Sequence, residues 1–168
     1  MKSGSSGSPI TRSCDVKAAL VTIAMLALAP PANAALSLGV TTPLSGLTIT
    51  PGTTATATEA LLVTPDPLNP TWHLSISDST GNNGHLARGT SGCTGVEAQT
   101  ANPLSVQATG TLPATVSSGT KTVTSSTQQI AQGNVLDTVN VAFSLVVNSN
   151  EILSTACTMS TTITYTLQ

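Results

Sequence analysis

The sequence predicts an all-β fold: a single antiparallel β-sandwich of the immunoglobulin-like or Greek-key type, with about seven to nine strands. Three observations carry this reading. Apolar and polar residues alternate with period two through most of the chain, helical periodicity is nearly absent, and turn-forming clusters such as "TPGT", "TPDPLNP", "DSTGNNG", "SSGT" and "NSN" recur at short intervals. No repeat of fixed period accompanies them, which argues against a solenoid or a β-helix.

Taken in order, "ALSLGV" opens the fold as a candidate strand, separated by Pro43 and Gly46 from a second short run, "LTIT". "TATATEALLVTP" places Ala55, Ala57, Leu61 and Val63 on one face and turns at Pro65 and Pro67. "TWHLSISDS" directs Trp72, Leu74 and Ile76 inward and His73, Ser75 and Ser77 outward. "PLSVQATG" and "KTVTSSTQQIAQG" are weaker and more polar, and are expected nearer a sheet edge. "NVLDTVNVAFSLVV" is the clearest core strand, with Val135, Val139, Val141, Phe143, Leu145 and Val147 on one face. "TTITYTLQ" alternates Ile163, Tyr165 and Leu167 with threonines as the last half-buried strand.

The first 34 residues are expected to stand outside this fold. Lys2, Arg12 and Lys17 precede the apolar run "AALVTIAMLALA", and small residues at Ala32 and Ala34 follow it, the pattern of a secretory signal peptide cleaved after Ala34. Pro30 and Pro31 end the run short of the roughly 20 apolar residues a spanning helix needs. Cys14 lies before the run, where a lipid-bearing cysteine would follow it, so residues 35–168 are expected as one domain that leaves the membrane.

In those residues Arg88 and Lys121 face six carboxylates, Glu59, Asp66, Asp78, Glu97, Asp137 and Glu151, a net charge of −4. Nucleic-acid binding draws its affinity from cationic side chains neutralising phosphates, and two such residues exclude it as a function class. The solvated surface must be carried by Thr, Ser, Asn and Gln, a composition common outside a bacterial cell. The two cysteines that remain, Cys93 and Cys157, are expected to form a disulfide in that oxidising setting.

Chemistry-bearing residues concentrate between Thr71 and Cys93. His73 lies on the outward face of its strand, Asp78 opens the turn cluster, and His85 and Arg88 lie in the Gly81–Gly95 loop, so these four are the candidate contacts for a surface partner. The two histidines are twelve apart with no H-E-x-x-H pattern, which disfavours a zinc site. "DSTGNNG" fails the calcium-loop pattern, since Thr80, Asn83 and Gly89 stand where ligands and the turn glycine belong; Asp78 and Asn82 are expected to bond their own backbone. No G-x-S-x-G is present and no carboxylates are recognisably paired, so neither catalytic residues nor a cofactor is expected. Asp137, on the apolar face of the best strand, is expected as a solvated or hydrogen-bonded guard against edge pairing near a strand end, with an internal amide bond between Lys121 and an asparagine such as Asn140 as its sharper alternative. Carbohydrate binding stays open through polar loops, although Trp72, Phe143 and Tyr165, its usual aromatic platforms, all take inward positions.

A signal peptide, a Thr/Ser-rich β chain, the tripeptide "WHL" (Trp72-His73-Leu74) followed by "SISDSTG", and a closing strand together resemble the WxL-type cell-surface domains of Gram-positive bacteria. Where that family carries a second tryptophan motif near its end, this chain has "ITYTL". The resemblance implies an exported, non-enzymatic module held non-covalently at the cell wall, with wall polymer or other surface proteins as partners. The alternative is a self-assembling subunit of an extracellular filament, pilus or coat, with "ALSLGVTTPLSGLTIT" as a donor segment for a second copy.

Overall fold

A computed structural model of the chain describes residues 36–42, 46–90, 93–154 and 157–168. The expected signal peptide and its cleavage site lie outside these residues. Among the described residues there are eleven strands and no helix: β1 (Ser37–Thr42), β2 (Thr54–Thr64), β3 (Trp72–Asp78), β4 (Ala87–Arg88), β5 (Ser105–Gly110), β6 (Val116–Ser117), β7 (Lys121–Thr122), β8 (Gln128–Gly133), β9 (Asp137–Val146), β10 (Met159–Ser160) and β11 (Ile163–Leu167). Four have only two residues, which leaves seven of five residues or longer.

All pairings are antiparallel. The larger sheet has the order β1-β2-β9-β5-β7, the second β11-β3-β8-β6, and β10 with β4 forms a small third ribbon. Alternation in the sequence becomes alternation in burial: β9 reads buried at Asp137, Val139, Val141, Phe143 and Leu145, and β3 at Trp72, Leu74, Ile76 and Asp78. Inward residues of both large sheets join one core, in which Trp72, Leu61, Val141 and Ile130 are fully inaccessible. At roughly 25 cal/mol per Å² of apolar surface removed from water, each such side chain contributes about 1.5–3 kcal/mol. The Tyr165 hydroxyl on β11 donates to the Glu59 carboxyl on β2, a direct polar tie between the two sheets.

The run "LTIT" forms no strand; only Leu47 of it is buried, where it plugs the core. The two weaker runs lie near sheet edges as expected: β5 and β8 each stand one strand in, with the two-residue strands β7 and β6 at the edges beyond them. These short outer strands blunt the sheet margins, and Lys121 on β7 takes the register position opposite inward-facing Val106, where an incoming strand would have to bury its charge.

Trp72 sets one local demand that only glycine meets. Its partner across the β3–β8 ladder is Gly133, and a Cβ there would lie 2.4 Å from the indole ring. The indole fills that space and its Nε1 donates to the Val135 carbonyl at 2.9 Å, so the ring is both packed and hydrogen-bonded.

Candidate functional site

The outward face of the β11-β3-β8-β6 sheet is built in rows set by strand register. Thr166, Ser75 and Gln129 stand side by side across three strands, and His73 and Gln132 pair in the next row, with Val116 beyond them on β6. Gln168 closes that row, exchanging backbone hydrogen bonds with His73 at 2.7 and 3.1 Å. Every one of these positions is uncharged at neutral histidine. Hydroxyl and carboxamide groups therefore face solvent as a regular array with one imidazole in it.

A cleft of about 210 Å³ opens at His73, lined also by Thr71, Val116, Gln132, Gly133 and Asn134. The imidazole is half-buried, and its Nδ1 is inaccessible and has no hydrogen-bond partner. Gln132 is fixed by the Gln129 side chain, whose amide donates to its Oε1 at 2.9 Å. This corner presents donors and acceptors to a ligand.

The other three predicted contacts are structural and lie elsewhere. Asp78, five residues along β3 from His73 and so about 17 Å away, is a turn clamp: Oδ1 accepts from the Thr80 amide and hydroxyl and the Thr161 hydroxyl, and Oδ2 from the Gly84 amide. Burial raises the carboxyl's pKa and these bonds more than offset it, so Asp78 is held below its ordinary value. Gly84 is bound to this arrangement, with φ of +80° and the Val123 carbonyl 2.5 Å from where a Cβ would be. Asn82 contributes its backbone carbonyl, which accepts from His85 N, whereas Asn83 at φ of 51° uses its side chain to receive Ser125. The turn residues thus bond the chain itself, as the sequence suggested for Asp78.

His85 donates from Nδ1 to the Thr100 carbonyl at 2.7 Å, and Arg88 donates from Nη1 to the Val96 carbonyl. Both brace the segment that ends in the Cys93–Cys157 disulfide, whose Cα atoms are 4.6 Å apart. The disulfide ties the β4 side of the loop to β10, closing 64 residues of chain. The His85 and Arg88 side chains are thereby engaged in holding the described parts of this loop against the segment 96–100.

Two further carboxylates, Glu59 and Asp137, are built into the core and its turns. Glu59 is 1 % exposed, inward on β2 between Ala57 and Leu61, with Tyr165 on one oxygen and no partner on Oε2. Burial raises its pKa above the ordinary value, more than the Tyr165 hydrogen bond lowers it; burial and the Glu59 carboxyl raise that of Tyr165. The alternation of "TATATEALLV" places position 59 on the buried face, so the signal was there. Asp137 accepts from the Thr111 and Leu112 amides, from its neighbour Thr138, and from the Thr111 and Thr115 hydroxyls. Burial raises its pKa as well, but the hydrogen bonds prevail and hold it below the usual carboxylate value. It anchors the β5–β6 turn from the middle of its sheet, since β9 lies between β2 and β5 and has no edge to guard. Lys121 and Asn140 are separated by β5 and take opposite faces of the sheet, which leaves the amide-bond alternative without geometry.

No family model, curated protein or solved structure matches the chain.

Proposed function

We propose that this protein is an exported, non-enzymatic β-sandwich of the cell surface, which binds neutral wall polymer through the outward face of its β11-β3-β8-β6 sheet. The observation that carries the proposal is the row of Gln168, His73, Gln132 and Val116 beside the row of Thr166, Ser75 and Gln129. A polyhydroxylated polymer exchanges hydrogen bonds with water for hydrogen bonds with such an array, and a face without charge neither repels an anionic wall nor depends on salt. The engagement of Asp78, Asp137, His85 and the disulfide in holding turns supports a scaffold role over a catalytic one. Within the WxL-like tripeptide, Trp72 and Leu74 belong to the core, so contact with a partner falls to His73.

The test is sedimentation of the oxidised protein, spun alone and after mixing with isolated Gram-positive cell walls. Pelleting with walls and not alone is the expected result; recovery in the supernatant of both tubes overturns the reading. A second reading, the filament or coat subunit, is favoured by the two outermost long strands. β1, "SLGVTT", and β11, "ITYTL", carry no charge or proline, and an unguarded edge of this kind pairs with other strands. Pelleting of the protein by itself, with fibres in the pellet, selects that reading.

A further inference from the structure

Asn83 and Gly84 form the chain's one Asn-Gly dipeptide, and they stand on the turn that Asp78 holds. Such a dipeptide is chemically labile in a free chain, because a glycine has no side chain to keep its backbone nitrogen from the asparagine's Cγ. We propose that Asn83–Gly84 is a latent deamidation site and that the Asp78 carboxylate keeps it closed while the turn is folded. The reaction has two steps. The Gly84 nitrogen gives up its proton and bonds to Asn83 Cγ, the Cγ–Nδ2 bond breaks, ammonia leaves with that proton, and a cyclic imide remains. Water then opens the ring at either carbonyl, giving aspartate or isoaspartate at position 83.

The turn withholds the first step in three ways. Gly84 is buried and its amide donates to Asp78 Oδ2 at 2.8 Å, so attack needs that bond to break. Burial raises the Asp78 pKa, but its hydrogen bonds outweigh this and hold it below the ordinary value, which makes it too weak a base to take an amide proton. The exposed Asn83 side chain is held as well, since its Oδ1 receives the Ser125 amide at 3.1 Å and the Ser125 hydroxyl at 2.9 Å. The backbone is fixed at a φ of 51° for Asn83 and +80° for Gly84, where the Val123 carbonyl lies 2.5 Å from the place of a Cβ. Isoaspartate adds one carbon to the main chain between these two residues. Gly84, wedged against Val123, has no room for it, so the clamp that also joins Thr80 and Thr161 to Asp78 cannot re-form. A turn that has opened long enough to react therefore stays open.

The inference uses neither the outward face of the four-stranded sheet nor a wall ligand. It is tested by peptide mass mapping of the oxidised protein during incubation at mildly alkaline pH, beside the free peptide STGNNGHLA (79–87). A hydrogen bond to a charged acceptor shifts local opening roughly 10- to 100-fold, so Asn83 should convert more slowly in the folded protein than in the peptide by about that factor. Asp78→Ala, folded by circular dichroism, should convert at close to the peptide's rate. Hydrogen exchange of the Gly84 amide in the parent protein keeps the test decisive if Asp78→Ala fails to fold, and it should be slowed by a similar factor. Conversion in the folded parent as fast as in the peptide or faster, an unprotected Gly84 amide, or a folded Asp78→Ala as slow as the parent would overturn the proposal.

Discussion

Glu59 and Asp137 lie on inward positions of adjacent strands, yet their environments shift their pKa values in opposite directions. Glu59 has its pKa raised, so the folded state holds its proton more tightly than the unfolded chain does. Stability from that proton is complete below the unfolded value and is lost as pH rises through the folded one. Asp78 and Asp137 are depressed, so their contribution is present above the unfolded aspartate value and disappears as pH falls through the folded one. Urea midpoints measured from acid to neutral pH should therefore fall off on both sides. Glu59→Gln, which mimics the protonated carboxyl, should flatten the upper limb and leave the acid limb in place. Asp137→Ala, which removes the carboxylate that accepts from the Thr111, Leu112 and Thr138 amides, should cost about 3 kcal/mol at neutral pH on the scale of hydrogen bonds to charged groups. Gly133→Ala drives a methyl into the Trp72 ring, and a loss of about 1–3 kcal/mol in the same urea assay is expected from overpacking.

Among the elements, the sequence was most legible where alternation was long. β3 and β9 have the inward sets that "TWHLSISDS" and "NVLDTVNVAFSLVV" predict, because a period of two leaves no freedom about which face is buried once one face is apolar. The polar outward residues of β5 and β8 place them near an edge, and each does stand next to one; what the sequence could not show are the edge strands beyond them, β7 and β6, which have two residues and no periodicity to detect. The candidate site was legible only in part. His73 could be placed on the outward face from β3 alone, but its neighbours Gln132, Val116 and Gln168 come from three other strands, and only register across the sheet brings them together. Asp78, His85 and Arg88 are near one another in sequence and were grouped for that reason, although their partners Gly84, Thr100 and Val96 hold them in structural roles. The disulfide was legible from the cysteine count together with the expected oxidising setting. Replacing both Cys93 and Cys157 with serine should lower stability by about 4 kcal/mol if loop closure over 64 residues dominates, read as a shift in the urea midpoint with an unchanged slope.

Over the whole molecule, charge is sparse and is kept off the faces of the four-stranded sheet. Glu97 and Glu151 cluster at the disulfide end, Asp78 and Asp137 are spent on turns, and Glu59 lies between the sheets. What remains on the broad faces is mostly Thr, Ser, Asn and Gln, with His73 and exposed Val116 and Val146 among them, on a scaffold held by one core, one disulfide and two carboxylate-centred turns. On the proposed reading, such a surface would recognise a neutral, hydroxyl-rich partner over an area, with no single residue supplying most of the affinity. Reversing its character should therefore matter more than trimming it. The most direct measurement is the binding isotherm of the oxidised protein on isolated cell walls, compared with the double variant His73→Glu, Gln132→Glu, whose changes fall on the outward row and leave the core untouched. The account predicts saturable binding by the parent and at least a tenfold weaker isotherm for the variant at matched stability; equal binding by both, or none by the parent, would contradict it.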